Sequence, residues 1–188
     1  MSFGSTPTRG RLLVAGPPLE DPNFRRTVVF MIEHNDEGAL GVVLNRPSPI
    51  ELADAVPQWA DLAAAPPAVF IGGPVEQGAV LGLGRLVAEV PPEGLTPVHA
   101  GIGVLDLEAD PVRLVGDVGG VRLFTGYSGW GPGQLEDELA LGGWFVVDAE
   151  PDDVTTTEPD DLWRAVLRRQ ADDDLARLAL FPDDLSAN

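Results

Sequence analysis

Cysteine and lysine are both missing from this chain of 188 residues, and all 12 of its basic residues are arginine. Without cysteine there is no disulfide, no thiolate nucleophile and no thiolate metal site, a composition suited to a reducing compartment. Without lysine there is no Schiff base, no anchor for pyridoxal phosphate and no phosphate-loop lysine. Histidine is scarce as well. His34 and His99 stand 65 residues apart with no H-E-x-x-H or EF-hand pattern around them, so neither a metal site nor a cofactor is expected. No apolar run reaches the roughly 18 residues of a membrane-spanning helix, and Met1 to Gly10 lacks the apolar core of a secretory signal. A cytoplasmic location without membrane association is the expectation.

What is abundant is acid. The net charge is -18, and it is uneven: residues 131 to 188 hold 15 acidic residues and 4 arginines, whereas residues 1 to 47 hold five of each. Nucleic acid is bound largely through neutralised phosphates, so a chain this acidic with no basic run is a poor direct binder of DNA or RNA. The acids have a plainer use in solvating exposed helix faces.

A hydrophobic content of 44% in a chain of this length supports one core, and one domain over residues 9 to 188 is expected. Residues 1 to 8 and Asp183 to Asn188 read as flexible. Leu12 to Ala15 is a short buried strand. Thr27 to Glu33 and Ala39 to Leu44, joined by the polar turn Asn35 to Gly38, form the clearest hairpin. Ser48, Pro49 and Glu51 supply an N-cap, an N1 proline and a capping-box acid, which predicts a helix from Ile50, broken at Pro57 and resumed to Ala64. Ala68 to Ile71, Val80 to Val90, Ile102 to Leu107, Val112 to Val115, Val121 to Tyr127 and Trp144 to Val147 read as strands. Gln134 to Leu141 reads as a helix stopped by Gly142, and Asp160 to Gln170 and Asp173 to Leu180 as two more. Strands early and helices late predict an α+β fold.

Few segments carry chemistry. Gly126, Tyr127, Ser128 and Gly129 approach a nucleophile elbow, but Trp130 stands where the G-x-S-x-G pattern needs glycine. Gly82 with Gly84, and Gly101 with Gly103, lack the third glycine of a dinucleotide fingerprint and read as strand bends. Arg25, Arg26, Asn45 and Arg46 gather positive charge and amide donors. Forked guanidinium groups suit the oxygens of a small anionic ligand, unless they pair with Glu20, Asp21 or Glu33. The segment Gly126 to Leu139 packs glycines and a proline around Tyr127 and Trp130, which predicts a sharp turn into the helix. That turn either anchors the core through Trp130 or faces a ligand, with Gln134 available to both.

Gly10 to Pro47, the GGPV of Gly72 to Val75, the GYSGWGPGQLEDEL of Gly126 to Leu139, Trp144, and the FPDD of Phe181 to Asp184 together resemble the YqgE/AlgH family of bacterial proteins, in order and over nearly the whole chain. The resemblance implies a forked β-sheet curled into a pseudo-barrel with flanking helices. It implies a regulatory role, described for the family as transcriptional regulation, and it brings no catalytic residues. The expected function is therefore a non-catalytic module that binds a small anionic ligand or a protein partner. Its candidate site comprises Arg25, Asn45, Arg46, Gly72, Gly73, Pro74, Tyr127, Trp130 and Gln134. Two alternatives stand beside it. One is an enzyme acting on a small anionic substrate, with Glu33 or Glu138 as base and Arg46 as clamp. The other is a transcriptional regulator that contacts DNA itself, which the charge disfavours.

Overall fold

A computed structural model describes residues 8–99 and 101–182. The chain opens with strands β1 (Arg11–Ala15), β2 (Val28–Asn35), β3 (Gly38–Val43) and β4 (Pro47–Glu51), followed by the single-turn helix α1 (Leu52–Ala55). Strands β5 (Ala68–Ile71), β6 (Val75–Leu86), β7 (Leu95–His99), β8 (Ile102–Leu105) and β9 (Val118–Trp130) make up the middle. Helix α2 (Gln134–Ala140), strand β10 (Trp144–Asp148) and helices α3 (Pro151–Val154), α4 (Leu162–Arg168) and α5 (Asp173–Leu178) complete it. The main sheet runs β10-β1-β2-β3-β9-β6-β8-β7, with β4 and β5 branching off it. It curls into a half-barrel flanked by the helices, as the family resemblance implies.

The fork lies on β9. Its last residues pair with β3, Ser128 opposite Gly41 and Trp130 opposite Ala39. Three residues earlier the same edge turns to β5, in parallel, with Thr125 beside Ile71. The opposite edge pairs with β6 over most of its length. Gly126, at φ +68°, supplies the irregularity that lets one strand change partners.

Strand β1 and the first half of β2, Val28 to Met31, are buried on both faces, which is why they read as continuous apolar runs instead of alternating ones. Leu12, Val14, Val28 and Phe30 face the layer of Leu162, Trp163, Val166 and Leu167 from α4. Leu13, Ala15, Val29 and Met31 face Leu135 of α2 together with Trp130 and Trp144. A third cluster around Trp59, Leu114, Val121 and Leu123 fills the far end. There Gly82, Gly84 and Gly103 leave room for leucines: a Cβ on any of them would meet side-chain atoms of Leu123 or Leu95 within 3.0 Å.

Several sequence expectations change. The segment from Gly126 to Trp130 is not a turn but the end of the longest strand, because its glycines serve close backbone packing. Val112 to Val115 is not a strand: Pro111–Leu114 forms a 3-10 turn, capped by the Asp110 side chain accepting from the Val112 amide. Ser48 does not cap a helix, since its hydroxyl donates to the Val69 carbonyl at 2.5 Å and draws β4 into the sheet. Helix α1 accordingly starts at Leu52. Strand β6 begins at Val75 and ends at Leu86, and β7 and α3 join the predicted elements. Thr8, counted above with the flexible segment, is fully buried and its hydroxyl meets His34 Nδ1 at 2.8 Å. Met1 to Pro7 and Asp183 to Asn188 lie outside the described residues.

Candidate functional site

The two glycine-rich segments of the sequence meet at the fork. Gly72 bridges its arms, accepting from the Val43 amide and donating to the Thr125 carbonyl, both at 2.9 Å. Ser128 is fully buried and donates to the same Gly72 carbonyl at 3.1 Å, so its hydroxyl is a structural donor and not an exposed nucleophile. Gly73 lies flat on β9: a Cβ there would stand 2.2 Å from the backbone of Tyr127. Tyr127 itself is half-buried on β9, opposite Val75.

Trp130 and Gln134 belong to a separate lattice. The Trp130 and Trp144 indoles both donate to Glu138 Oε2, at 2.9 and 2.8 Å. Gln134 donates to Glu138 Oε1 and accepts from the Gly131 amide, each at 3.1 Å. The two indole rings meet edge to face with centroids 6.0 Å apart, and Phe24 packs against both. With Trp130 only 7% exposed, these groups hold α2 to the sheet. Close by, buried His34 places Nε2 2.7 Å from Glu136 Oε1.

The cationic segment divides three ways. Asn45 is buried, accepting from the Val28 amide at 3.0 Å and donating to the Arg26 carbonyl at 2.9 Å, so it fixes the loop rather than offering its amide outward. Arg25 and Arg26 line a cleft of about 360 Å³ with Glu20, Trp163 and Phe181. Arg26 covers the Trp163 ring at 4.8 Å and donates to the Phe181 and Pro182 carbonyls, so this cationic group is engaged by the chain's own C-terminal turn.

Arg46 points elsewhere. It lines a smaller cleft of about 170 Å³ with Pro22, Asn23, Val43, Ile71, Gly73, Pro74 and Gln77. Its guanidinium is half-buried and donates to the Arg25 carbonyl. Partial burial lowers its pKa, and Asp160 opposes that shift from a distance. Of the nine residues predicted from sequence, the structure brings Arg46, Gly73 and Pro74 into this cleft, with Gly72 as its support. Asn23, Ile71 and Gln77 carry no signal of such a role in the sequence. Gln77 is delivered by a break in the β6–β9 register between Val75 and Val80, where Glu76 sits at φ +44°.

The carboxylates weighed as bases lie apart from Arg46. Glu33 is exposed and pairs across the hairpin with Leu40, six residues before Arg46, or roughly 20 Å along an extended chain. Both oxygens of Glu138 are taken up by indole and amide donors. Another group that sequence reading passes over is Arg122, 1% exposed on β9, which donates at 2.8 Å to the carbonyls of Thr156 and Ala65 and lies 4.2 Å above the Phe70 ring. Burial without a carboxylate partner pushes its pKa down to about 10. Among the described residues no group of three or more His, Asp or Glu side chains is placed to hold a metal ion, and no helix is long and apolar enough to cross a membrane.

A forked, curled sheet with helices on its flanks, closed by two interlocking glycine segments, defines the class of protein. The chain belongs to the AlgH-like family, whose model matches residues 12–174. A UPF0301 protein of Streptomyces coelicolor is 54% identical over 183 residues, covering 95% of this chain and 94% of that one. A UPF0301 protein of Mycobacterium tuberculosis is 49% identical over 182 residues, covering 95% and 90%. Among solved structures, a Corynebacterium diphtheriae protein superposes with a TM-score of 0.89 at 36% identity, over 94% of each chain. The AlgH protein of Pseudomonas aeruginosa, solved in solution, gives a TM-score of 0.65 at 28% identity, over 96% of this chain and 98% of its own.

Proposed function

We propose that this chain is a non-catalytic, cytoplasmic ligand-binding module with a regulatory role, and that it binds a small anion in the cleft beside Arg46. One observation carries the reading. Arg46 lines a concave surface with its guanidinium half-buried, and among the described residues that guanidinium donates to a backbone carbonyl, not to a carboxylate. A cation partly removed from water, with Asp160 acting on it only at a distance and no carboxylate bonded to it, favours an incoming anion. Gly73 and Pro74 support the site by giving the cleft a floor fixed to β9.

The reading is tested by a thermal-shift screen of small anionic metabolites against the wild type and Arg46→Gln. Anions that stabilise the wild type and leave R46Q unmoved are expected. Stabilisation unchanged by the substitution, or a ligand seated away from Arg46 and Gly73, overturns it. Direct DNA binding is not part of the proposal, because a chain of net charge -18 repels the phosphate backbone. A gel shift against genomic fragments at low salt is expected to show no complex.

A further inference from the structure

We infer that the Arg46 cleft selects a small monocarboxylate with a short branched apolar tail; this inference rests on the ligand-binding reading above. Size sets the first bound. A cleft of about 170 Å³ holds roughly six water-sized groups at ~30 Å³ each, well below the ~300 Å³ at which sites for larger ligands begin. Nucleotides and sugar phosphates would extend beyond it into solvent.

Donor supply sets the second. A phosphate dianion is usually cradled by several backbone N–H groups, and five of the eight residues lining this cleft have none to give. The Val43 amide donates to Gly72, the Ile71 amide to Arg46 and the Asn23 amide to the Asp21 carboxylate, while Pro22 and Pro74 have no N–H at all. The charged donor is one guanidinium, whose planar fork matches the two oxygens of a single carboxylate. Asn23 and Gln77, each with a side-chain amide, line the same cleft. The surrounding field acts in the same direction, since a strongly acidic chain penalises a second negative charge on the ligand.

The walls set the third. Val43, Ile71, Pro22 and Pro74 are apolar, and Ile71 remains 42% exposed, leaving apolar surface for a tail to cover. Gln77 stands on the bulge where Glu76 holds a positive φ, a local strain of the kind kept where a side chain must be aimed.

The experiment is a titration of the isotope-labelled chain with isovalerate, acetate, isovaleramide and inorganic phosphate in turn, followed by backbone amide NMR, on the wild type, Arg46→Gln and Ile71→Ser. Isovalerate is expected to shift Ile71, Gly73 and Gln77 amides and to bind at least tenfold more tightly than acetate or isovaleramide. R46Q is expected to lose this binding more than tenfold, and I71S, at an exposed site that leaves the fold intact, severalfold. Phosphate binding at Arg46 with isovalerate no better than acetate overturns the monocarboxylate inference and leaves anion binding at the cleft standing. Shifts that avoid the cleft for every probe, together with an anion response in the thermal screen that survives R46Q, overturn both.

Discussion

The buried hydroxyl of Ser128 donates to the carbonyl of Gly72 at 3.1 Å, joining the two glycine-rich segments at the point where the sheet divides. That carbonyl also accepts from the Val43 amide, so three strands depend on one oxygen. Gly73 beside it has no space for a side chain.

Gly73→Ala is therefore expected to be far more damaging than Ser128→Ala. The added Cβ would collide at 2.2 Å with the backbone of Tyr127, which cannot swing aside as a flexible side chain can. We expect a loss above ~3 kcal/mol for G73A, beyond ordinary overpacking, and about 1 kcal/mol for S128A, where the Gly72 carbonyl keeps the Val43 donor. Urea denaturation of the two variants checks the order; equal losses would contradict it.

Glu138 is expected to behave as a structural acceptor. Glu138→Ala leaves two nearly buried indole N–H groups without a partner, at a cost of about 2 to 4 kcal/mol, whereas Glu138→Gln keeps an acceptor oxygen and costs about 1 kcal/mol. Tryptophan emission, read alongside stability, is expected to change in E138A and stay close to wild type in E138Q.

Arg122 offers a pH signature at the alkaline end. Its folded-state pKa, about 10, lies below the ordinary arginine value, so between the two the unfolded chain binds more protons and stability rises with pH. Arg122→Met lacks this dependence. The unfolding free energy of the wild type relative to R122M is expected to grow between pH 8 and pH 11, by about 1.4 kcal/mol. A flat difference would show that the guanidinium is better solvated than its burial indicates.

Glu136 gives a dependence of the same sign at the acid end, where stability again rises with pH. A backbone hydrogen bond at its own position lowers its pKa from 4.5, partial burial opposes this, and the hydrogen bond and charge of His34 add to the lowering. Its stabilising contribution is present above the unfolded pKa and is lost as pH falls through the folded one. The advantage of wild type over Glu136→Gln is expected to be constant near neutrality and to shrink on acidification below pH ~4.5 in denaturant melts.

Much of the architecture is legible in the sequence because local and tertiary demands agree there. The hairpin of β2 and β3 follows from two apolar runs around Asn35 to Gly38, and α2 follows from Leu135, Leu139 and the stop at Gly142, whose φ is +74°. Legibility fails where a partner distant in sequence decides. Glycines that mark a turn in isolation mark close backbone contact once Gly72 and Gly73 lie against β9. The Ser48 hydroxyl caps no helix: it donates to the Val69 carbonyl and accepts from the Ile50 amide within β4. Strand β7, with Pro97 on the sheet's edge, carries too weak a pattern to be read. The candidate site divides on the same ground. Arg46, Gly73 and Pro74 converge, whereas Trp130 and Gln134 are consumed by Glu138 and Tyr127 packs against the core.

Strand β1 sits between β2 and β10, and its Arg11 faces Asp148, 137 residues further along the chain. During synthesis at ~5–20 residues per second, one edge of this apolar strand stays open on the order of ten seconds after β2 has covered the other. The nascent chain thus carries an unpaired edge until its last strand arrives, which makes truncation before Trp144 a route to aggregation and not to a smaller folded unit.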